Sequence, residues 1–312
     1  MPLRYTLRQL EYFTAVGECG SIAAASEKVN VSSPSISAAV AQLEEEFGLA
    51  LFVRKHAQGL SLTTAGQRLM EQSQKVLREA ELLTSMAGDI SGNVQGPLSV
   101  GCLLTFAQFI LPKVRHSFQA LYPDVRMRQE ELNQAEIFSR IRRAELDIAL
   151  SYDLDIPADL EFIPLVDLPP YVLAPADHAL AARDEVSVED LRDHPMVLLD
   201  LPLSSEYFLS FFSERGLKPK IAERSRDMGV VRSLVANGFG YSILNIRPLS
   251  DRSPDGGDLA FIPLKGEVRP MRMGLVMARG AGGTSTVKAF VSHCQDMING
   301  DSVPGMQRHG QA

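Results

Sequence analysis

The stretch "GSIAAASEKVNVSSPSISAAVAQLEEEFG", residues 20–48, decides the fold of the first part of the chain. Its apolar residues recur at the spacing of two short amphipathic helices that meet at Asn30. Two short helices joined by a tight turn are typical of helix-turn-helix DNA binding. The second helix contains no Arg or Lys. The positive charge that a nucleic acid attracts must therefore come from another part of the chain.

The residues around this stretch predict how its helices begin and end. An apolar stripe over residues 5–16 predicts a preceding helix. We expect Ser21 and Ser32 to cap the two helices of the motif, since a serine oxygen can accept from the free amides of the first turn. Gly48 should end the second helix. The following segment "LFVRKHAQGLSLTTAG" predicts a two-stranded wing.

The composition bounds the class of protein. The chain has 312 residues, 45% of them apolar and 22% charged, with a net charge of −7, which predicts two or three domains with buried cores. No leader-like or membrane-spanning apolar run is present, so we expect a cytoplasmic protein without membrane contact. Cys19, Cys102 and Cys294 lie far apart and predict neither a metal site nor a disulfide framework. No cofactor is expected.

A long helix is predicted to begin near Thr64. Leu69, Val76, Leu83 and Ile90 are spaced by seven, which is the pattern of a helix that pairs with a second helix. These four residues are the predicted dimerisation residues. The alternative is an ordinary surface helix that packs on the protein's own core.

Beyond a hinge at "SGNVQGP", candidate strands and helices alternate. "LSVGC", "VRMRQEEL", "LDIALSY", "YVLAP", "PMVLL" and "GYSILN" are the candidate strands, and the alternation predicts parallel sheets flanked by helices. The region is too long for one small unit, and residues 167–170 offer a crossover into a second lobe.

The chain resembles the LysR-type transcriptional regulators. The resemblance rests on "LRQLEYFTAVGECGSIAAASEKVNVSSPSISAAVAQLEEEFGLALFVRK" with "LTTAG", and more weakly on "LDIAL" and "LVANGFGYSIL". It implies a multi-domain α/β protein with an N-terminal winged helix-turn-helix, a long linker helix and a C-terminal two-lobed effector domain like the periplasmic binding proteins. The expected boundaries are 1–63, 64–91 and 92–298, with a flexible tail over 299–312.

The resemblance assigns the recognition helix to residues 32–47. Its candidate base-contacting residues are Ser32, Ser33, Pro34, Ser35, Ser37 and Ala38. Family members often carry Gln or Arg at the positions of Ser33, Ala38 and Ala39, so direct readout by long side chains should be sparse here. Pro34 and Ala38 can pack against thymine methyl groups, and the alternative for Ser33 and Ser35 is helix capping alone.

The cations of the first 66 residues are few. Five basic residues stand against six glutamates there, a net charge of −1. Arg54, Lys55 and His56 lie together on the predicted wing, where the resemblance places contacts to phosphate or the minor groove, and Lys28 ends the first helix of the motif. These four are the predicted phosphate contacts. For Arg54 the alternative is a salt bridge to a glutamate of the recognition helix.

The candidate effector site follows from the ends of the strands. Ligands of two-lobed sheet domains lie at the carboxyl ends of strands, where helix N-termini suit anions. This rule, with the resemblance at Thr105, gives the candidates Thr105, Phe106, Asn133, Tyr152, Ser204 and Ser205. Thr105 is expected to cap a helix that begins at Phe106, and capping alone is the alternative for it and for the two serines. An organic acid is the expected effector.

The resemblance also implies partners. It implies double-stranded operator DNA, a small anionic effector, a homodimer through the linker helix, a homotetramer and contact with RNA polymerase. The alternatives are a ligand-binding receptor without specific DNA binding, a redox sensor that uses Cys102, an enzyme and a nonspecific nucleoid protein. The scattered histidines offer no catalytic spacing, so an enzyme is not expected.

Overall fold

The computed structural model describes residues 4–55, 59–91, 94–266, 268–280 and 284–298, and it divides into two units. The first unit contains four helices and a two-stranded antiparallel sheet among its described residues. In chain order these are α1 Leu7–Cys19, α2 Ile22–Val29, α3 Ser33–Phe47, β1 Phe52–Lys55, β2 Gly59–Leu62 and α4 Thr64–Ser91.

Local signals explain the ends of the first helices. Thr6 and Gln9 form a capping box at the start of α1. The prediction for Ser21 is confirmed, since its side chain accepts from the Ala24 amide at 3.4 Å. Asn30 and Gly48 adopt left-handed backbone angles after α2 and α3, as the turn of the motif requires.

The capping prediction for Ser32 is wrong for its side chain. Ser32 occupies the N-cap position of α3, but no side-chain bond caps this helix. Its Oγ instead lies 2.8 Å from the Oγ of Ser35. Pro34 falls in the first turn, where its missing amide has no helical partner to lose.

The core of the first unit joins α1, α3 and α4. Leu10, Phe13, Leu43 and Leu51 are fully or almost fully buried. Leu69 and Val76 of α4 pack against this core, so two of the four heptad residues already contact their own domain. Leu83 is 67% exposed, and the side chain of Ile90 lies outside the described residues.

One acidic residue of α3 fixes the entry into the wing. Glu44 Oε1 accepts from the amides of Leu51 at 2.7 Å and Phe52 at 3.2 Å. Its carboxylate therefore orders the chain between α3 and β1.

The second unit consists of two lobes, each built on a sheet. Lobe I holds a five-stranded sheet in the order β4-β3-β5-β12-β6, and lobe II holds β10-β7-β11 together with the pair β8-β9. The strands are β3 Gly96–Leu103, β4 Val125–Leu132, β5 Ile148–Tyr152, β6 Leu160–Leu168, β7 Tyr171–Pro175, β8 Pro195–Leu199, β9 Lys220–Ser225, β10 Ser242–Leu244, β11 Leu259–Pro263 and β12 Met271–Ala278.

The helices of this unit lie between strands along the chain, except the last, which follows β12. They are α5 Leu104–Phe109, α6 Leu111–Leu121, α7 Gln134–Arg142, α8 Val188–Leu191, α9 Ser204–Ser213, α10 Met228–Ala236 and α11 Ser285–Met297. The chain leaves lobe I between β6 and β7 and returns between β11 and β12. Two crossings of this kind make β12 a strand of lobe I although it comes late in the sequence.

Two expectations about this unit are corrected. The lobe I sheet is mixed rather than parallel, because the returning β12 pairs antiparallel with both β5 and β6. In lobe II, β7 pairs antiparallel with β10 and β11, and only β8 and β9 are parallel. The helix predicted over "FAQFILPKVRHSFQALY" is two helices, α5 and α6, which meet at Ile110. Pro112 has no amide to bond back into the preceding turn, which explains the break.

In lobe II, backbone hydrogen bonds between β8 and the residue before β10 join the β8-β9 pair to the β10-β7-β11 sheet. The Tyr241 amide donates to Pro195 O at 3.0 Å, and the Val197 amide donates to Tyr241 O at 2.7 Å. Gly240 allows this approach, since a Cβ there would lie 2.2 Å from Pro195 O.

The role of Glu44 predicts a stability change. Glu44→Ala should lower the free energy of unfolding by about 2 kcal/mol, because two amides lose a charged acceptor. Urea unfolding of the full chain, followed by circular dichroism, measures this change. The exposed Glu46 is the matched control, and Glu46→Ala should leave stability within about 0.5 kcal/mol. Equal effects of the two substitutions would contradict the assigned role.

Candidate functional site

The solvent face of α3 carries small side chains. Pro34, Ser37, Ala38 and Ala41 are all exposed. Their spacing of three and four residues places them on one face of the helix. The opposite face packs into the first unit through Ile36, Ala39, Val40 and Leu43. The predicted base-contacting residues Pro34, Ser37 and Ala38 thus point away from the core.

The remaining serines of the motif are at the start of α3. Ser33 is its first residue and is half-buried, while Ser32 and Ser35 are exposed and share one hydrogen bond. Ser33 and Ser35 are the first and third residues of α3 rather than its N-cap, and the N-cap residue Ser32 makes no side-chain cap bond.

The predicted phosphate contacts have different surroundings. Lys28 Nζ lies 2.5 Å from Glu18 Oε2, and both side chains are exposed. An exposed ion pair is weak, so a phosphate can compete for the ammonium group. Arg54 and Lys55 lie on β1, but their side chains are outside the described residues, as is the whole of His56.

A cavity of about 290 Å³ lies between the two lobes of the second unit. It opens where strands from both lobes end: β3, β4 and β5 of lobe I, and β8 and β9 of lobe II. Its wall is mostly apolar with a few polar groups, as in small-molecule sites. The lining includes Leu104, Thr105, Glu131, Asn133, Gln134, Glu136, Tyr152, Leu201, Pro202, Ser204 and Arg226.

Four of the six predicted effector residues line this cavity: Thr105, Asn133, Tyr152 and Ser204. Phe106 and Ser205 do not. Phe106 is fully buried beneath the wall, with its ring centroid 4.8 Å from that of Tyr152. Its position one residue after Thr105 in α5 turns it into the core of lobe I.

The capping assignments at the cavity are also corrected. The helix after β3 begins at Leu104 with Leu103 at the N-cap, so Thr105 lies inside α5 and does not cap it. Ser204 and Ser205 are the first two residues of α9 rather than its cap. Leu203 precedes them with φ of 66°, and the Ser204 amide donates to Pro202 O at 2.8 Å. This tight turn places Pro202 in the wall.

Asn133 has a structural role beside its place in the wall. Its Oδ1 accepts from the backbone amide of Glu136 at 2.9 Å, and the backbone amide of Asn133 donates to Glu136 Oε2 at the same distance. The reciprocal bonds order the start of α7. The side-chain nitrogen Nδ2 of Asn133 takes no part in these two bonds.

Tyr152 connects the two lobes at the floor of the cavity. It ends β5 in lobe I, and its hydroxyl donates to Asn245 Oδ1 of lobe II at 3.2 Å. Burial raises the pKa of the Tyr152 hydroxyl well above its usual range, so it stays protonated and remains a donor.

Gln134 was not recognised from the sequence. Its side chain is 2% exposed, and its Nε2 donates to Tyr152 O at 3.2 Å and to Leu154 O at 2.7 Å. Both partners are backbone carbonyl oxygens, which only accept hydrogen bonds. The NH2 group of Gln134 must therefore face them, and this fixes the orientation of the side-chain amide. Its Oε1 is buried and has no hydrogen-bond partner among the described residues, and Gln134 is one of the residues that line the cavity. A buried acceptor of this kind calls for a donor from a ligand or water.

Arg226 was also missed, because β9 was not among the predicted strands. Arg226 follows β9 directly and is exposed at the cavity. No ion pair engages it among the residues that the structure describes. The carboxylates of Glu131 and Glu136 line the same cavity, so the site offers one guanidinium beside several acceptors.

A close hydroxyl and imidazole pair lies elsewhere in lobe I. Ser117 Oγ and His293 Nε2 are 2.8 Å apart between α6 and α11, and His293 is buried. Neither residue lines the cavity. Within the described ranges no group of three or more His, Cys, Asp or Glu side chains is arranged to hold a metal ion.

Two family models match the two units of the chain. The model described as "Bacterial regulatory helix-turn-helix protein, lysR family" matches residues 7–67. The model described as "LysR substrate binding domain" matches residues 91–299, about two thirds of the chain. The chain belongs to the LysR family of transcriptional regulators. The predicted fold class is thereby confirmed, with a helix-turn-helix unit followed by a LysR substrate-binding unit.

Similar proteins include regulators that are named for hydrogen peroxide. The "Hydrogen peroxide-inducible genes activator" of Pectobacterium carotovorum subsp. carotovorum is 29% identical over 240 residues, 76% of this chain and 79% of that protein. The crystal structure of HinK, a LysR family regulator from Pseudomonas aeruginosa, is 36% identical, covers 95% of this chain and 99% of that one, and has a TM-score of 0.64. Full-length OxyR from the same organism is 25% identical, covers 94% and 98%, and has a TM-score of 0.75.

As a LysR-family member the protein is a DNA-binding transcriptional regulator with an effector-binding domain. Across the described parts of the chain, no helix has the length and apolar character needed to cross a membrane.

The cysteines of this LysR-family chain are placed for packing. Cys102 and Cys294 are fully buried. Burial raises the pKa of both thiols, and the charge of Glu131 adds to the shift at Cys102. The thiolate is the reactive form of cysteine, so neither thiol is prepared to react with an oxidant.

This placement predicts the order of alkylation. N-ethylmaleimide at neutral pH should modify the half-buried Cys19 in the native protein, and Cys102 and Cys294 only after unfolding. Peptide mass spectrometry, with and without guanidinium chloride, measures the labelling of each cysteine. Labelling of Cys102 in the native state at the rate of Cys19 would contradict the assignment and favour a redox role.

Proposed function

We propose that this LysR-family protein is a sequence-specific transcriptional regulator whose operator binding is controlled by a small organic acid in the cleft between its two lobes. The observation that carries the proposal is the cavity, whose lining includes Gln134, with its unpartnered Oε1, and Arg226, whose guanidinium forms no ion pair among the described residues.

The polar groups of the cavity favour one type of acid. Arg226 suits a single carboxylate, whereas Glu131 and Glu136 would repel a second one. Gln134 Oε1 accepts only, so the ligand should also carry a hydroxyl, amide or amino donor. Leu104 and Leu201 suit an apolar body. A monocarboxylic acid with a hydrogen-bond donor satisfies these groups together.

Tyr152 offers a route from ligand to conformation. It lines the cavity from lobe I, and its hydroxyl bonds Asn245 in lobe II. A ligand that contacts both lobes shifts the population of lobe arrangements only by its difference in affinity for them. The bond between Tyr152 and Asn245 is one contact that such a change would alter.

The assembly proposed for this cytoplasmic regulator is a homodimer through α4, with two dimers forming a tetramer that can contact RNA polymerase. Leu83 supports pairing, since a large apolar side chain on a long helix is 67% exposed. Leu69 and Val76 reach their own core, so their part in pairing would be confined to their partly exposed edges. Ile90 completes the proposed stripe.

The alternatives have less support. A receptor without DNA binding leaves the exposed face of α3 unexplained. A redox sensor that uses Cys102 conflicts with the burial of its thiol. Catalysis is not supported, since the Ser117 and His293 pair lies away from the cavity.

The DNA-binding part is tested by two substitutions with different expected effects. Arg54→Ala should weaken binding to all DNA sequences alike, because it removes a phosphate contact. It should also reduce the slope of log affinity against log salt concentration by about one. Ser33→Ala should change which sequences are preferred, because it removes a group at a base edge. Selection from a random DNA pool and salt titrations of the selected duplex measure both effects. Wild-type behaviour of both variants would favour the receptor.

The effector part is tested by thermal shift with matched acids. Lactate should stabilise the protein more than propanoate, or 2-hydroxybenzoate more than benzoate, since the added hydroxyl reaches Gln134 Oε1. For the acid that stabilises, Arg226→Gln should weaken binding about tenfold through loss of the charged hydrogen bond.

Arg224→Gln is the matched control for that measurement. Arg224 lies two residues away, pairs with Asp200 at 3.2 Å and does not line the cavity. Its substitution should leave acid binding unchanged. Equal effects at the two arginines, or equal stabilisation by acids with and without the hydroxyl, would contradict the proposed site.

A further inference from the structure

The exposed face of α3 is defined by its geometry. Pro34, Ala38 and Ala41 are exposed and follow one another at intervals of four and three residues. This spacing aligns them along one side of the helix over its first three turns, with Ser37 beside them. The core-facing residues lie on the other side, so this small-residue face is the part of α3 most free to enter a groove.

The longer polar side chains of α3 are directed to other tasks. Gln42, the helix's single amide side chain, accepts from Gln9 Nε2 of α1 at 2.8 Å. Glu44 holds the entry to the wing. Glu45 is exposed one turn beyond Ala41, where its carboxylate is repelled by DNA phosphates. These side chains leave the first three turns as the surface for base contact.

The chemistry of this face limits what it can recognise. Pro and Ala side chains neither donate nor accept hydrogen bonds, so they cannot read the polar edges of guanine, cytosine or adenine. The one apolar group that a base pair presents in the major groove is the 5-methyl of thymine. Ser37 can bond several bases and discriminates little among them.

We propose that α3 recognises its half-site mainly by packing Pro34, Ala38 and Ala41 against thymine methyl groups. The inference rests on sequence-specific DNA binding as proposed above. Small side chains allow the helix to approach the floor of the groove closely, so that each methyl is covered. Specificity then comes from buried methyl groups rather than from bidentate hydrogen bonds.

The experiment uses full-length protein and a duplex that it enriches from a random pool. Each thymine of the half-site is replaced in turn by deoxyuridine, which keeps every hydrogen-bonding group and loses only the methyl. Affinity should fall about fourfold for each contacted thymine. Replacing guanines of the half-site by 7-deazaguanine, which removes the N7 acceptor, should leave affinity unchanged. Deoxyuridine outside the half-site should also have no effect.

Protein variants assign the methyl contact to the helix. In Ala38→Ser a hydroxyl group takes the place of an apolar surface. At the position that Ala38 contacts, the affinity for the thymine duplex divided by that for the deoxyuridine duplex should fall toward one. In Ala38→Gly the ratio should fall likewise. Ala24→Gly is the matched control, since Ala24 is exposed on α2 and its substitution has the same helix-propensity cost. The ratio should be unchanged in this control.

Three results would overturn the proposal. These are no loss with deoxyuridine, loss with 7-deazaguanine instead, or an unchanged ratio in both Ala38 variants. A pool that yields no enriched sequence would overturn sequence-specific regulation itself, and with it this inference. Enrichment followed by insensitivity to uracil would leave regulation intact and reject methyl readout alone.

Discussion

The second unit depends on one constraint, which is that strands of both lobes end at a common crevice. The residues that follow β3, β4 and β5 meet those that follow β8 and β9 across the cavity. Strand ends release the chain from the ladder and leave backbone and side-chain groups free for a ligand. The return of the chain as β12 holds the lobe I strands in register from the other side. The cavity is therefore a consequence of topology, and the residues that line it come from five strand ends.

The packing of the first unit fixes which side of α3 faces solvent. Ile36, Val40 and Leu43 form the buried stripe of α3. Helical geometry then determines which residues lie on the opposite, exposed side. Glu44 shows that an acidic residue of α3 can serve the structure, because its carboxylate accepts hydrogen bonds from two backbone amides inside the unit and is partly withdrawn from the surface.

The sequence was most informative where the signal is local. Caps and left-handed residues such as Ser21, Asn30 and Gly48 depend on a few neighbouring residues, and the turn of the motif follows from them. The cleft was recognised only in part, because its wall depends on pairings distant in sequence. Arg226 could not be placed while the polar strand β9 was unrecognised, and the free Gln134 oxygen depends on carbonyls that β5 and the loop after it bring to its amide.

Phe106 and Gln134 show why neighbours of a correct residue separate in three dimensions. Each adjoins a predicted wall residue, Thr105 or Asn133, and each is almost completely buried. A helix turns successive side chains by roughly 100°, so Phe106 leaves the cavity for the core of lobe I. Gln134 stays at the wall because two carbonyl acceptors hold its amide there and turn its oxygen away from them. The same two hydrogen bonds leave the Gln134 oxygen as a buried acceptor without a partner among the described residues.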